Sequence, residues 1–545
     1  MAPVAVATAR MRPSDCRAIP QRVDWVESNP GGQPSKPPRS TVTRPSPPPK
    51  VGSAAYGTVG AIASAVTPDA ATLVASSVAT RTDRERGRIG EPCRRTFRSA
   101  RRGSLRRRTV LFVHGGRALV VGGGIGGLTA AATLRAVGWD VTVLEQARAL
   151  AQVGAGIQVA SNAARVFAGL GLADALAVRA VEPTGIDVRS ARTGRLLHHT
   201  PLGDFARTTY GAPYFHLHRA DLLDVLVGAV PAEAIRLRTV VTAVQDRGDA
   251  VTVTLDDGTT LDADVVVAAD GIHSPSRALL HGPARSQFSG MVCWRGLIPA
   301  ERVAHLALAR ICHVWYGPDA SVVAYWVRGG ELFNVVGIVQ GGAEAVESWS
   351  ARGDRDRLLA DFAGFEPTVR GFMAEIDDPF LWAIHDRDPL PWWTRGRVTL
   401  LGDAAHPMLP YMAQGACQAI EDAAVLARCL EPVDPSRTDE VTAALQRYEA
   451  IRRPRTTEVQ QQSRAGATVF HLKDWRSVWR RNQQLRTAMR ADPAVSARTW
   501  LYGYDADRAV DEHDDGAIAA AAATTVSTSG AAAVADHWSR PVSGR

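Results

Sequence analysis

The sequence predicts an α/β fold with two lobes and a helical C-terminal part. A β-branched run, Arg117–Val121, leads through a glycine-rich turn into an Ala/Leu-rich helix, Gly126–Val137, and a second run follows at Asp140–Leu144. This order is typical of a βαβ unit. Strand-like runs dominate residues 291–339 and predict an antiparallel sheet. With 545 residues, 46% of them hydrophobic, the chain is long enough to bury a core in each lobe.

Local patterns predict the remaining elements. Val251–Leu255, the turn at Asp257-Gly258 and Asp264–Ala269 indicate a hairpin that leads into a buried strand. The strand-like runs of the second lobe are Val292–Ile298, Ile311–Tyr316, Ser321–Val327 and Phe333–Val339. Helices are predicted at Ala416–Leu430 and Val441–Ile451. Pro454 is expected to interrupt the extension of the second helix, because proline lacks the N–H that an interior helical residue donates.

The two ends of the chain differ in composition from the rest. Residues 1–116 contain 20 basic and 7 acidic residues, a net charge of +13, whereas the remainder has 43 basic and 48 acidic residues. Residues 1–115 are rich in Pro, Ser and Arg and are expected to form a disordered tail. This tail is either a basic interaction arm or, as we favour, a dispensable start. Because the basic charge belongs to it, binding of nucleic acid is not expected.

The sequence does not support a disulfide-rich, membrane, secreted or metal-binding protein. The six cysteines form no CxxC pair, which is typical of reduced thiols in a cytoplasmic protein. No apolar run reaches the ~18 residues of a membrane span, and Met1–Arg22 lacks the apolar core of a secretory signal. The histidines at 216, 218, 273, 385 and 406 show no metal-ligand spacing, so no metal is expected.

The turn Gly122–Gly127 has the form GxGxxG and lies between a predicted strand and a predicted helix. Gly122, Gly124 and Gly127 allow a tight turn in which the backbone approaches a pyrophosphate at the N-terminus of the helix. Glu145 ends the second strand, 23 residues after Gly122, where a carboxylate holds the ribose hydroxyls of a dinucleotide. These residues together predict a site for FAD or NAD.

Two further segments resemble motifs of flavoprotein hydroxylases. Residues 265–274, with the sequence VVVAADGIHS, resemble the DG motif, and residues 400–407, LLGDAAHP, resemble the GD motif. The second resemblance continues through residues 414–423, QGACQAIEDA, and a C-terminal match is found at 500–505, WLYGYD. The chain from about Arg117 to Asp505 is thus similar to single-component FAD-dependent aromatic-ring hydroxylases, the salicylate and hydroxybenzoate monooxygenase family.

The resemblance implies a Rossmann-type FAD-binding domain with an interleaved antiparallel-sheet substrate lobe. It divides the chain into the tail 1–115, the first part of the FAD-binding domain 116–290, the substrate lobe 291–385, a second part with the GD motif and C-terminal helices 386–515, and a disordered tail 516–545. The family residues expected to contact FAD are Gly156, Gln158, Arg219, Asp270, Asp403, Gly415 and Ala416.

The implied reaction is hydroxylation of a small phenolic or aromatic-acid substrate by O2, with NADH or NADPH as the reductant. In the family, NAD(P)H reduces the flavin and leaves, and the reduced flavin forms a C4a-hydroperoxide with O2. The chain has no second GxGxxG followed by a strand, in keeping with the absence of a separate nicotinamide domain. A monomer or a homodimer is expected.

Arg295 and Tyr325 are the candidate residues on the substrate side. Arg295 in Cys293–Gly296 (CWRG) could bind a substrate carboxylate or fix the flavin, and Tyr325 could polarise a phenol. Two positions depart from the hydroxybenzoate-type relatives. Ser321 stands where they often have a histidine, and position 410 is Pro, which has no side chain able to form a hydrogen bond.

Two alternatives remain open at this point. The same flavin chemistry could act on a larger fused aromatic compound or a secondary metabolite. Less favoured is a non-catalytic FAD-binding protein, since an intact set of flavin motifs is better explained by turnover.

Overall fold

A computed structural model describes residues 115–150, 155–341, 351–490 and 498–516. Apart from residues 115 and 516, both predicted tails lie outside these ranges. The strands are β1 Arg117–Val121, β2 Asp140–Leu144, β3 Gly156–Val159, β4 Gly185–Ser190, β5 Leu196–Pro201, β6 Phe215–His218, β7 Ile235–Arg236, β8 Val241–Asp246, β9 Val251–Leu255, β10 Thr260–Ala263, β11 Val265–Ala268, β12 Gln287–Pro299, β13 Cys312–Tyr316, β14 Ala320–Val327, β15 Leu332–Gln340, β16 Phe380–Asp386, β17 Thr394–Arg395 and β18 Val398–Leu400.

The helices pack on the faces and at the C-terminal end of these sheets. They are α1 Ile125–Ala136, α2 Ser161–Gly169, α3 Ala173–Ala177, α4 Asp204–Thr209, α5 Arg219–Gly228, α6 Pro275–His281, α7 Ala300–Val303, α8 Arg355–Asp361, α9 Pro367–Ala374, α10 Gly415–Leu430, α11 Thr438–Phe470, α12 Trp475–Arg490 and α13 Thr499–Tyr502. None of the helices in the described part of the chain is long and apolar enough to cross a membrane.

The first sheet has the strand order β17-β18-β11-β1-β2-β7. Strand β1 pairs in parallel with both β2 and β11, and β11 pairs in parallel with β18. The residues of β1 and β11 are buried except at the first position of β1, as expected for strands covered on both faces. Helices α1 and α10 are linked where the Thr133 hydroxyl donates to the Ala423 carbonyl at 3.0 Å. The carboxyl ends of these parallel strands therefore share one edge.

The second sheet has the order β16-β12-β15-β14-β13-β4-β5. Its pairs are antiparallel except for β13 and β4, which run parallel. The sheet reaches further back along the chain than residues 291–385, because β4 and β5 come from the segment Gly185–Pro201. Those two strands were not distinguished by the sequence, whose strand signals were strongest after residue 291.

The expectation that Pro454 interrupts its helix is wrong. Helix α11 runs continuously from Thr438 to Phe470 and contains Pro454. The proline is exposed, so its ring faces solvent rather than the packed side. Buried residues before and after it, Arg452 and Thr456, hold the helix against the core. Tertiary packing thus outweighs the loss of one backbone hydrogen bond.

Candidate active site

The glycine-rich turn connects β1 to α1 at the carboxyl edge of the first sheet. Gly122 has a φ of +108°, and a Cβ there would lie 2.4 Å from the Ala269 carbonyl oxygen. A Cβ on Gly127 would lie 2.0 Å from the Gly122 carbonyl oxygen, so this glycine is required for packing within the turn. Gly124 differs, because a Cβ there would meet no protein atom within 4 Å. Gly124 therefore leaves space for a ligand at the N-terminus of α1.

Glu145 follows β2 and is held against the same turn. Its carboxylate accepts hydrogen bonds from the backbone N–H of Gly123 at 2.6 Å and of Ala147 at 2.7 Å. Glu145 lines a cavity of about 210 Å³ together with Gly122, Gly124 and Asp270. Glu145 therefore lies beside the glycine turn, and its contact with the ribose of a dinucleotide stays a prediction.

A larger cavity of about 930 Å³ adjoins the smaller one, and both are lined by Gly124, Ala269 and Gly271. The predicted site residues that line the larger cavity are Gly124, Gly156, Gln158, Arg219, Arg295, Tyr325, Asp403, Gly415 and Ala416. Gly127 lines neither cavity, in keeping with its packing role. The structure thus brings the sequence-predicted residues to one continuous depression that runs from the glycine turn to the second sheet.

Asp270 has an observed structural role. Its carboxylate accepts hydrogen bonds from the Ser274 hydroxyl and from the backbone N–H of Ser276, at 2.9 Å in the second case. Ser274 in turn caps α6 by accepting from the backbone N–H of Arg277. These contacts fix the loop after β11, and direct contact of Asp270 with a cofactor stays a prediction.

Asp403 follows β18 and is exposed to the larger cavity. Arg277 supports this segment by donating to the carbonyl oxygens of Ala404 at 3.2 Å and Ile272 at 2.6 Å. Burial lowers the pKa of Arg277 to about 10, although two aspartates oppose the shift. Arg219 begins α5, where its backbone N–H donates to the Ala155 carbonyl at 2.9 Å. Burial lowers the pKa of Arg219, whereas neighbouring Asp403 raises it.

The N-terminus of α10 opens onto the same cavity through Gly415 and Ala416. The chain enters this helix through Ala413, whose φ of +52° turns the backbone sharply. The N-terminal turn of a helix carries partial positive charge and free N–H groups. Such an end suits a ring that becomes anionic on reduction.

A buried ionic network behind α10 was not predicted from the sequence. Glu421 and Asp422 on α10 and Arg452 on α11 are all fully buried. Arg452 donates to Glu421 at 2.6 Å and to Asp422 at 2.7 Å, and His406 Nε2 lies 2.6 Å from Asp422. Burial opposes ionisation of Asp422, but His406 and Arg452 outweigh it and lower its pKa. The network fixes the GD segment against α10.

The second sheet forms the opposite wall of the cavity. Ser321, Val323 and Tyr325 alternate along β14 and all line it, as strand geometry requires for residues on one face. Tyr325 is 3% exposed, and burial raises the pKa of its hydroxyl above the ordinary value, so the group stays protonated. Its ring packs beside His216 at a centroid distance of 4.4 Å. The hydroxyl also has a hydrogen bond with Gln158 that lowers its pKa, and donation from Tyr325 to a substrate stays a prediction.

Arg295 on β12 also faces the cavity. Its guanidinium lies over the Trp382 ring, 4.8 Å from the centroid. Its positive charge lowers the pKa of both Arg219 and Tyr325, so Arg295 lies near both of them. Gln158, on the adjoining wall, accepts a hydrogen bond from the Tyr214 hydroxyl at 2.6 Å.

Sequence reasoning missed two polar groups at this wall. Pro410 has no hydrogen-bonding side chain, as noted, but the next residue, Tyr411, lines the cavity and has a buried hydroxyl without a partner in the described residues. Ser321 donates to or accepts from His471 Nε2 at 2.8 Å. His471 follows the end of α11, far from Ser321 in sequence, so no local pattern could have shown this pair.

These features define the class of protein. The molecule has two adjoining cavities, an open space beside Gly124, and the N-termini of α1 and α10 at these cavities. Together they fit an elongated dinucleotide that ends in a flat ring. The fold and the site are those of a flavoprotein with a pocket beside the flavin ring.

Comparison with known proteins agrees with this conclusion. A family described as an FAD binding domain matches residues 117–463. A 3-amino-4-hydroxybenzoate 2-monooxygenase of Streptomyces platensis is 42% identical over 400 residues, covering 73% of this chain and 98% of that protein. A 6-hydroxynicotinate 3-monooxygenase of Pseudomonas fluorescens is 37% identical over 397 residues, covering 71% of this chain and 95% of that protein.

A solved salicylate hydroxylase substrate complex has a TM-score of 0.62 and 28% identity, covering 73% of this chain and 98% of that one. The chain therefore belongs to the family of FAD-dependent aromatic-ring hydroxylases. The resemblance inferred from the sequence motifs is confirmed.

Proposed function

We propose that this protein uses FAD, NADH or NADPH, and O2 to hydroxylate a small phenolic aromatic acid. The observation that carries the proposal is that the predicted flavin residues and the predicted substrate residues line the same cavity. Asp403 and the N-terminus of α10 face it from one side, and Arg295, Ser321 and Tyr325 face it from the other. The relatives acting on aminohydroxybenzoate and hydroxynicotinate support the choice of substrate class.

In this proposal the first sheet is a Rossmann-type FAD-binding domain, and the chain passes from it into the substrate lobe and back. Gly124 admits the pyrophosphate, Glu145 holds the adenosine ribose, and Asp403 holds hydroxyls near the flavin. Gly415 and Ala416 present the N-terminus of α10 to the ring. Bound FAD supplies the electrons that activate O2.

The remaining steps belong to residues of this chain. Val323, Val336 and Ile338 supply an apolar wall that excludes water from the substrate. Tyr325, kept protonated by burial, donates to the substrate oxygen and stabilises the phenolate as it forms. Arg295 pairs with the substrate carboxylate, which its planar guanidinium suits.

The proposal is tested by measuring NADH and NADPH oxidation by the holoenzyme with 3-amino-4-hydroxybenzoate, 6-hydroxynicotinate, 3-hydroxybenzoate and salicylate. At least one compound should stimulate oxidation and yield a product one oxygen atom heavier. Asp403→Ala should lose FAD, because each lost hydrogen bond weakens binding by ~1–3 kcal/mol. Stimulated oxidation without any hydroxylated product from any aromatic compound would reject the proposal.

A further inference from the structure

We infer that Ser321 and His471 form a proton-accepting pair for the phenolic hydroxyl of the substrate. The inference rests on the proposed function and assigns to it a base that no sequence motif marks. Ser321 is 1% exposed and lies in the cavity wall on the same face of β14 as Tyr325. Its Oγ lies 2.8 Å from Nε2 of His471, the residue that follows the end of α11.

The tautomer of His471 sets the direction of proton movement. In the proposed pair the ring carries its proton on Nδ1, so that Nε2 accepts the hydrogen bond of the Ser321 hydroxyl at 2.8 Å. The serine oxygen then keeps its lone pairs for a donor in the cavity. A phenolic hydroxyl is such a donor.

The transfer balances as one proton passed along two hydrogen bonds. The phenol O–H bond breaks and its proton goes to Ser321 Oγ, while the original Ser321 proton goes to His471 Nε2. The electron pair stays on the phenolate oxygen, which activates the ring toward electrophilic oxygen. The proton can return along the same path to the product, so the pair ends unchanged.

The surroundings of His471 fit a base that acts only during the reaction. Burial lowers the pKa of His471 to about 4, Asp319 opposes this shift, and Arg481 on α12 adds to it. Lys473 pairs with Asp319 at 2.7 Å on the exposed side, and the Tyr411 ring packs at a centroid distance of 5.5 Å. The imidazole is therefore neutral at pH 7 and a weak base, which takes the proton only when electrophilic attack on the ring makes the phenol strongly acidic.

The first test needs no turnover. Affinities of the oxidised holoenzyme for 3-amino-4-hydroxybenzoate and for 3-aminobenzoate, which lacks the phenolic hydroxyl, are measured by quenching of flavin fluorescence. Wild type should prefer the phenol roughly 2- to 10-fold, as one hydrogen bond provides. Ser321→Ala should lose most of the preference, because only the Tyr325 contact with the phenolic oxygen remains, whereas Ser289→Ala, a serine change outside both cavities, should keep it. A preference that is absent in wild type or unchanged in Ser321→Ala overturns the inference.

The second test separates a proton acceptor from a structural contact. Ser321→Ala and His471→Gln should lower the hydroxylation rate of 3-amino-4-hydroxybenzoate by ~100-fold or more near pH 7. The loss should shrink as the pH approaches the ionisation of the phenol itself, and Ser321→Thr should restore the rate. A loss that does not vary with pH, or one confined to Ser321→Ala, contradicts the pair. Failure of the proposed function is a different result, namely no hydroxylated product from wild type.

Discussion

At the scale of the residue, glycines of one turn serve different purposes. No larger side chain fits at Gly127, because a Cβ there would lie 2.0 Å from the Gly122 carbonyl oxygen. A Cβ at Gly124 would meet no protein atom within 4 Å. The sequence motif alone treats them alike. The structure separates the glycine that the fold needs from the glycine that the ligand needs.

Gly124→Val should therefore fold normally but lose FAD. The valine side chain would occupy the space of the pyrophosphate without striking the protein. FAD occupancy, read from the flavin-to-protein absorbance ratio, should fall to a small fraction of wild type. Gly169→Val is the matched control, since its Cβ also meets nothing within 4 Å and it lies away from both cavities. Equal occupancy in Gly124→Val and wild type would contradict the assigned site.

Tyr325→Phe should bind FAD and accept electrons from NADH but hydroxylate poorly. The lost donor no longer stabilises the phenolate, an effect worth ~100-fold or more for assistance of this kind. Hydrogen peroxide should be released instead of product. The measurement is the ratio of product to peroxide per NADH consumed. Tyr448→Phe, buried away from the cavity with its hydroxyl on the Leu400 carbonyl, should leave the ratio unchanged.

At the scale of the element, α10 joins the cofactor site to the core. Its N-terminus faces the cavity, and almost two turns further on Glu421 and Asp422 bind the buried Arg452. Asp422 also accepts the Gly402 backbone N–H at 3.1 Å, which fixes the loop that carries Asp403. The charges of α10 thus set the geometry of the predicted flavin contacts.

Arg452→Ala should lower the free energy of unfolding by about 3 kcal/mol, the lower end of the range for breaking a buried pair, because Glu421 keeps its pair with Arg455 and Asp422 keeps its contact with His406. FAD affinity should fall with it. Arg453→Ala, one residue further along α11, removes a partly exposed pair with Glu449, whose carboxylate keeps its two backbone N–H partners, and should change stability by less than about 1 kcal/mol. Urea unfolding of both holoproteins measures the difference, and similar losses in the two variants would show that the network is not specific.

At the scale of the whole molecule, sequence patterns predicted the features that depend on neighbouring residues in the chain. The βαβ unit, most strands of the second sheet and the glycine, DG and GD motifs depend on residues close in sequence. The pairs Ser321–His471 and Arg452–Asp422 are created only by packing, so no periodicity marks them. Pro454 was misjudged for the same reason, because its effect depends on which side of α11 faces the core. The positions of the glycine-turn and strand-end residues could be predicted from the sequence. The proposed base at Ser321 and His471 could not.

The pH dependence of stability should follow the buried histidines. Burial lowers the pKa of His216 to about 3 and that of His471 to about 4, while the unfolded chain takes up these protons near pH 6.5. The contribution of these two histidines to the free energy of unfolding is fully present above pH 6.5. It is lost as the pH falls toward their pKa values in the folded protein, by at most ~1.4 kcal/mol per pH unit for each group. His216→Phe should reduce the slope between pH 4.5 and 6.5 in urea unfolding, and exposed His305→Phe should not. An unchanged slope in His216→Phe would refute this origin.

The central claim is that one cavity couples a bound flavin to hydroxylation of a small phenolic acid. The most direct measurement supplies isotopically heavy O2 and NADH or NADPH to the holoenzyme with the aromatic compound that most stimulates oxidation of the nicotinamide. We expect one heavy oxygen atom in each molecule of hydroxylated product. We also expect a product yield close to the amount of nicotinamide oxidised. Product oxygen that comes from water, or nicotinamide oxidation that yields only hydrogen peroxide with every phenolic acid, would contradict it.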